Sequence, residues 1–456
     1  MRFEREWIAV VFPSSRQETC CVPTQDLQGA WYMFYGLDAH KHFIQICQVG
    51  KAGERLRDFR IAATAASIAA FAEKLGPDDQ VVLEATFHTW AIWSLLTPHA
   101  GRVLVANPMQ VRAIAHARVK TDKIDAHILA QLLRLDFIPE VEMPDEEIWA
   151  LRELVSHRRF LGKQRVALRN RIRSLVNSRL YHCPFVELLG PAGRAWLATQ
   201  QFSGEEQLIL ESALRLHDEV TEQMERLDEE LRTKAAQKLE VKLLMTIPGV
   251  NVAVAMGLVS CIGDIRRFKS PNQLASYFGL VPRVYQSAEK CYHGRISKAG
   301  RSHGRWLAVE AAQSLSVSQS PLTATYHRVR CKKGHNVAVT ALARKLVVLA
   351  WHLLTKGEPY RCAPVARTRH KLKRVTPDCG PARKGQVPRT IEAVYEELGL
   401  PQAQPPTAGE KRVTARNRRT ITLARKPSGT RGLRESATTT SEVRKSAGQR
   451  CQVTRA

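Results

Sequence analysis

Leucine returns every seventh residue at Leu154, Leu161, Leu168 and Leu175. From about Ile148 to Lys242 little interrupts a helical pattern except Pro184, Gly190, Pro191 and Gly193. Past that break, Leu210, Leu214, His217, Val220, Met224, Leu227 and Leu231 follow one another by steps of three or four. Such spacing gives a helix one apolar seam, which a second helix must cover. An arm over 147–242 is therefore expected, as a coiled coil or an antiparallel hairpin. The same seam suits plain helix packing, a dimerisation surface, or both. An arm of this length also divides the chain, so the residues on either side must build cores of their own. A length of 456 residues leaves room for two or three domains.

Before the arm the pattern is mixed. Tyr35–Val49 and Glu54–Ile61 read as strands and Ala65–Leu75 as a helix. Gln80–Ala85 reads as a strand, Thr89–Thr97 as a helix, Arg102–Ala106 as a strand, Gln110–His116 as a helix, and a last helix runs from Thr121 to Leu135. Strands first, then strands alternating with helices, predict one three-layer α/β domain over 33–146. Residues 1–32 show no clean periodicity, and the functional chain is expected to begin near Met33. After the arm, 243–358 reads as a second, helix-rich unit. Residues 359–456 read as a basic, mostly disordered tail in which only Thr390–Leu398 looks helical.

The charge narrows the choice of partner. Lys and Arg number 69 against 43 Asp and Glu, a formal net of +26. Residues 361–456 alone carry 22 Lys and Arg against 7 Asp and Glu. An excess of this size points to a polyanion, either nucleic acid or an anionic membrane face. No uninterrupted apolar run long enough for a transmembrane helix exists, and the stretch from Trp7 to Pro13 is too short for a signal peptide. The ten cysteines form no CxxC pair and are too sparse for a disulfide framework, so a reducing cytoplasm is expected.

Against this basic background four acids stand out. Asp38 lies in Tyr35-Gly-Leu-Asp-Ala-His40 and Glu84 in Val81-Val-Leu-Glu-Ala85, both within apolar strand patterns where carboxylates are poor fits. Asp122 and Asp125 lie in Lys120-Thr-Asp-Lys-Ile-Asp-Ala126, spaced to share one face of a helix capped by Thr121. Singly, each suits a water-facing strand end or a favourable place in a helix dipole. Together they would repel one another, and divalent cations remove that conflict. Two such ions can clamp the attacking and leaving oxygens of a phosphodiester.

These three stretches resemble the DEDD motif of insertion-sequence transposases with a RuvC-like, RNase H-fold N-terminal domain. This family is often written as one-ten, with an eleven-eleven subgroup. The resemblance implies Asp38, Glu84, Asp122 and Asp125 as catalytic, metal-binding residues for magnesium, with manganese as the alternative.

Farther along, Leu244-Met-Thr-Ile-Pro-Gly-Val250 resembles the entry to a helix-hairpin-helix, whose next helix start can grip a phosphate, although an ordinary tight turn fits equally. Then come Arg267-Phe, Gly279-Leu-Val-Pro282 and Gln286-Ser287, and six basic residues against one acid between 283 and 305. Arg283, Lys290, Arg295, Lys298 and Arg301 are expected to hold nucleic acid, as are Arg158, Arg165, Arg169 and Arg173 along the arm if they are more than a solvated face. The order I-P-G, R-F, GL-x-P, Q-S, Ile296-Ser-Lys298 is similar to the second domain of the same family. It implies Ser287 as the nucleophile that becomes covalently joined to DNA. Family members usually have glycine after that serine; this chain has Ala288. The resemblance covers about 33–357.

The expected activity is strand exchange through a metal-assisted serine–phosphate intermediate. The implied partners are donor and target DNA, a guide (bridge) RNA and further copies of the chain in a dimer or tetramer, in the bacterial cytoplasm at the nucleoid and away from membranes. Two other classes fit part of the pattern. A metal-dependent, structure-specific nuclease, junction-resolvase-like, would use water and the acids alone. A non-catalytic RNA-binding protein would carry the carboxylates structurally.

Overall fold

The computed structural model describes residues 32–114, 121–376 and 390–425. The expected leader, apart from Tyr32, lies outside them, as do Lys120 and the tail segments 377–389 and 426–456. The chain divides into two compact units between Pro144 and Asp145.

The first unit is a five-stranded sheet with helices on both faces. Its strands are β1 (Phe34–Ala39), β2 (Phe43–Val49), β3 (Arg55–Ala62), β4 (Gln80–Glu84) and β5 (Arg102–Ala106), in the order β3-β2-β1-β4-β5. The first three are antiparallel, whereas β4 and β5 run parallel to β1. The single strand expected over Tyr35–Val49 is in fact two strands, with His40-Lys-His42 as the turn. Alternation along β1 sorts its side chains. Tyr35, Leu37 and Ala39 enter one core with residues of α1 (Ala65–Ala72) and α2 (Thr89–Leu96). Phe34 enters the other, beneath α4 (Asp122–Arg134), with α3 (Pro108–Ile114) beside it.

The second unit begins with the arm. Helix α5 (Glu146–Ser178) has 33 residues, about 50 Å at 1.5 Å each. It pairs with α7 (Gly204–Gln237), and the short α6 (Pro191–Ala198) lies between them in sequence. The ion pairs Glu147–Lys238, Arg158–Asp228 and Arg179–Glu206 run forward on α5 and backward on α7, so the arm is an antiparallel hairpin. Ile172, Leu175 and Val176 close its far end against Leu197, Leu210 and Ala213. Its base is not a separate domain: Leu151, Val155, Leu231 and Ala235 belong to the main core of the second unit.

That core is helical: α8 (Leu239–Met245), α9 (Val252–Ile262), α10 (Pro271–Tyr277), α11 (Ser302–Ser316), α12 (Thr323–Lys333) and α13 (His335–Lys356). A two-stranded ribbon, β6 (Pro282–Ser287) and β7 (Lys290–Ile296), is inserted between α10 and α11. By length and composition α13 could cross a membrane, but Ala338, Leu342, Ala343, Leu346 and Val347 are buried in this core.

Within the tail, the described residues 359–376 and 390–425 are packed and helical rather than disordered. Tyr360, Ala363, Leu372 and Val375 pack into the main core, and so do Ile391, Val394, Tyr395, Leu398 and Leu400. They belong to or flank α14 (Val365–Lys373) and α15 (Ile391–Glu397). A basic helix, α16 (Ala408–Arg425), follows. Its Asn417 is buried and donates to Ser320 O at 2.9 Å and to Thr323 Oγ1 at 2.8 Å. Apolar residues at helical spacing outweigh the average charge of this segment.

Candidate metal centre and basic ribbon

The acids owe their placement to strand alternation and one close approach. Asp38 falls on the α4 side of β1, in phase with Phe34 and Gly36, and Glu84 falls on the same side of β4, in phase with Val82. In the parallel register Gly36 pairs with Val82 and Leu37 with Leu83, so Asp38 and Glu84 end neighbouring strands side by side. Helix α4 starts above them. Thr121 caps it, its Oγ1 accepting from Ile124 N at 3.3 Å, and Asp122 and Asp125 occupy the first turn. The helix lies directly on β1: a methyl at Gly36 would stand 2.0 Å from Ala126 O.

Asp38, His40 and Asp122 present ligand atoms that all lie within 4.8 Å of one another. His40 Nε2 is 3.1 Å from Asp38 Oδ2 and 3.3 Å from Asp122 Oδ1. Arg60 Nη2 donates to Asp122 Oδ2 at 3.2 Å, while its Nε donates to the buried Gln45 at 2.8 Å. Burial raises the pKa of Asp38 above the usual carboxylate value; His40 opposes the shift, and Asp122 and Asp125 add to it. Asp125 is thus an electrostatic neighbour, and Glu84 shares the sheet face, but neither belongs to the three-residue cluster. His40 was given no role by sequence reasoning, although its place two residues after Asp38 puts both on one side of an extended segment.

Two carboxylates and an imidazole fit a divalent cation. The oxygens suit magnesium or manganese, and a cation would relieve the repulsion that raises Asp38. Arg60 supplies a positive donor to one of the same acids.

In the second unit, Arg158 is spoken for. It makes a two-pronged pair with Asp228, with Nη2 to Oδ2 at 2.9 Å, and so clips α5 to α7. The reason is register: Arg158 sits beside the apolar seam. Arg169 and Arg173 are exposed and Arg165 is partly so. Arg301 is also half-buried.

Ser287 ends β6 and pairs with Lys290 across the ribbon turn. Residues 283–295 are all exposed, including Arg283, Lys290 and Arg295 beside Tyr285 and Tyr292; Lys298 is exposed just beyond. The turn residue Ala288 has φ +50°, a left-handed conformation that glycine adopts without strain. Sequence reasoning singled out the serine and did not foresee the ribbon that carries it.

Between α8 and α9 the residues Thr246 to Asn251 make a tight turn. Asn251 caps α9, its Oδ1 accepting from Val254 N at 2.9 Å. Gly249, at φ +89°, lies against α11; a methyl there would meet Ala311 O at 2.4 Å.

A family model described as a transposase matches residues 35–179, and one described as "Transposase IS116/IS110/IS902 family" matches residues 241–328. The transposase for insertion sequence element IS1111A of Coxiella burnetii is 26% identical over 344 residues, 72% of this chain and 91% of the relative. A probable family 20 transposase of Pseudomonas aeruginosa is 26% identical over 74% of this chain and 97% of its own. A pilin gene-inverting protein of Moraxella lacunata is 25% identical over 61% of this chain and 81% of its own. With two family models matched in order and relatives matched along most of their length, the chain belongs to the IS110/IS116 family of insertion-sequence transposases, enzymes that cut and join DNA.

Proposed function

We propose that this transposase exchanges DNA strands through a covalent Ser287–phosphate intermediate assisted by the acidic centre of the first unit. The observation that carries the reading is the meeting of Asp38, His40 and Asp122 on one end of the sheet, within the segment that matches a transposase model. The strand order β3-β2-β1-β4-β5, with three antiparallel strands followed by two parallel ones, supports an RNase H-like domain of the RuvC type.

In this reading Asp38 and Asp122, with Glu84 and Asp125, would hold magnesium or manganese, which supplies Lewis-acid polarisation of a phosphodiester. Ser287 Oγ loses its proton to water and forms an ester to the scissile phosphorus, while the bond from phosphorus to one sugar oxygen breaks and that oxygen takes a proton from water. Attack by the hydroxyl of the incoming strand reverses the ester and frees the serine. A serine hydroxyl is a weak nucleophile at neutral pH, so it needs such help. Arg283, Lys290, Arg295 and Lys298 would hold the phosphates on either side. The turn before α9 would add backbone amides. Arg165, Arg169 and Arg173 would follow the backbone of DNA or of a guide RNA that pairs with donor and target. Acids and serine are proposed to act on the same phosphate from copies of the chain in a dimer or tetramer, in the cytoplasm at the nucleoid.

The test is to trap the protein–DNA adduct and map the attached residue. Ser287→Ala is expected to abolish both adduct and strand exchange while DNA binding survives. An adduct still formed by the alanine variant would remove Ser287 from this role.

A further inference from the structure

The segment after Pro359 follows the family-matched residues, yet it is stitched to the turn between α8 and α9. Tyr360 N donates to the buried Thr246 Oγ1 at 2.8 Å, and Tyr395 Oη donates to Tyr360 O at 2.6 Å. From α14, Lys371 sends its ammonium into the turn itself. Nζ donates to the carbonyl oxygens of Met245 at 2.5 Å, Ile247 at 2.9 Å and Val250 at 3.0 Å. All three ammonium protons are used. Burial pushes the Lys371 pKa down to about 8. What offsets that burial is the set of carbonyl dipoles rather than a carboxylate.

Three carbonyl oxygens converging on one point are also what a hard cation takes from a backbone turn. Carbonyls crowded this way repel one another unless a positive charge lies between them. Gly249 leaves the turn no slack on its other side, because α11 is already in contact there.

We infer that Lys371 is a tethered cation seated in a monovalent-cation site made by the Met245, Ile247 and Val250 carbonyls, and that it holds the turn in the shape that presents the first amides of α9 to a phosphate. The second half of this inference rests on the proposed grip of that turn on DNA. Lys371 is a positioning residue: it reaches the phosphate only through the turn. The chain thereby carries its own counter-charge for the turn, on a segment whose composition suggests no packing.

The experiment uses the full chain with Lys371→Ala and Lys371→Met, each measured at fixed ionic strength in tetramethylammonium chloride, potassium chloride and ammonium chloride. Lys371→Ala opens the site. In tetramethylammonium, too large to enter, its melting temperature and DNA affinity are expected to fall, with the affinity down tenfold or more. Both are expected to recover in potassium or ammonium. Wild type should be indifferent to which cation is present. Lys371→Met fills the space without charge, and its loss should persist in every salt. Wild-type affinity of Lys371→Ala in tetramethylammonium would overturn the inference, as would a loss that neither small cation repairs, since that is the behaviour of a packing residue. Melting is read without DNA, so recovery of melting with no change in affinity would leave the cation site standing and sink the DNA grip instead.

Discussion

Gly36→Ala tests whether the acidic centre depends on the contact between β1 and α4. The added methyl would lie 2.0 Å from Ala126 O and 2.6 Å from Ala130 N, against 3.4 Å for ordinary contact. Both targets are helix backbone and cannot rotate away. To accept the methyl, α4 must recede by about 1.4 Å, with an overpacking cost of about 1–3 kcal/mol. Asp122 and Asp125 ride on the first turn of α4, whereas Asp38 stays on β1 two residues from the insertion. The acids therefore separate along the line between the two elements. A misplacement of about 1 Å at a reacting centre costs about a hundredfold in rate. The assay is DNA cleavage by the full chain as magnesium is titrated from chelated buffer, with melting measured alongside. The expected result is a folded variant with a rate lower by about two orders of magnitude and a higher magnesium requirement. Gly76→Ala is the control, because its methyl meets Asp79 Oδ2 at an ordinary 3.6 Å. A folded Gly36→Ala variant with wild-type rate and wild-type magnesium requirement would refute the reasoning.

Asp38→Asn should abolish metal-dependent cleavage yet raise the melting temperature of metal-free protein at pH 7. Burial and the neighbouring acids raise the Asp38 pKa, so the folded state binds its proton more readily than the unfolded chain. Stability therefore falls as pH rises through the raised value, and the advantage of the variant should vanish on acidification; equal melting at pH 7 would contradict this. Arg158→Met removes the pair with Asp228 and should destabilise the arm by about 1–2 kcal/mol in urea unfolding while leaving the salt dependence of DNA binding unchanged. A lower salt slope would show that Arg158 contacts the nucleic acid as well. Ala288→Gly removes left-handed strain of about 1 kcal/mol at the ribbon turn, less what the freer unfolded glycine takes back. Amide exchange across β6 and β7 should slow, and unchanged exchange would deny the strain.

The first unit was the more legible because its strands have one or two buried faces and so carry a period. Its main error was the turn at His40-Lys-His42, which contains no glycine, proline or asparagine to announce it. The ribbon of β6 and β7 was hidden for another reason. Its residues are almost all exposed, so no apolar alternation exists to be read. In the arm, periodicity gave the seam, but which arginine would pair across it depended on the register with α7. Gly36 carried no visible signal, because the need for it comes from a helix ninety residues later. The tail misled through its average: 22 basic residues mask the few apolar ones, Leu372, Val375, Ile391, Val394 and Tyr395, that decide its packing.

The two proposed halves of the chemistry are mounted in opposite ways. The acids sit where a sheet and a helix touch with no spare room, and this holds charges together that would otherwise spread. Rigidity there substitutes for solvent. Ser287 stands on a two-stranded ribbon that buries nothing from 283 to 295, and such a ribbon is marginal in water by itself. Its Tyr285 and Tyr292 face each other across the strands and expose their rings, with Arg283, Lys290 and Arg295 around them. A surface of this kind gains its order from what it binds, through phosphates on the basic groups and stacking on the rings. It follows that DNA, rather than the fold, should set the final position of the serine. Amide exchange in the ribbon should therefore slow sharply when DNA is added, whereas exchange at the β1–α4 contact should hardly change.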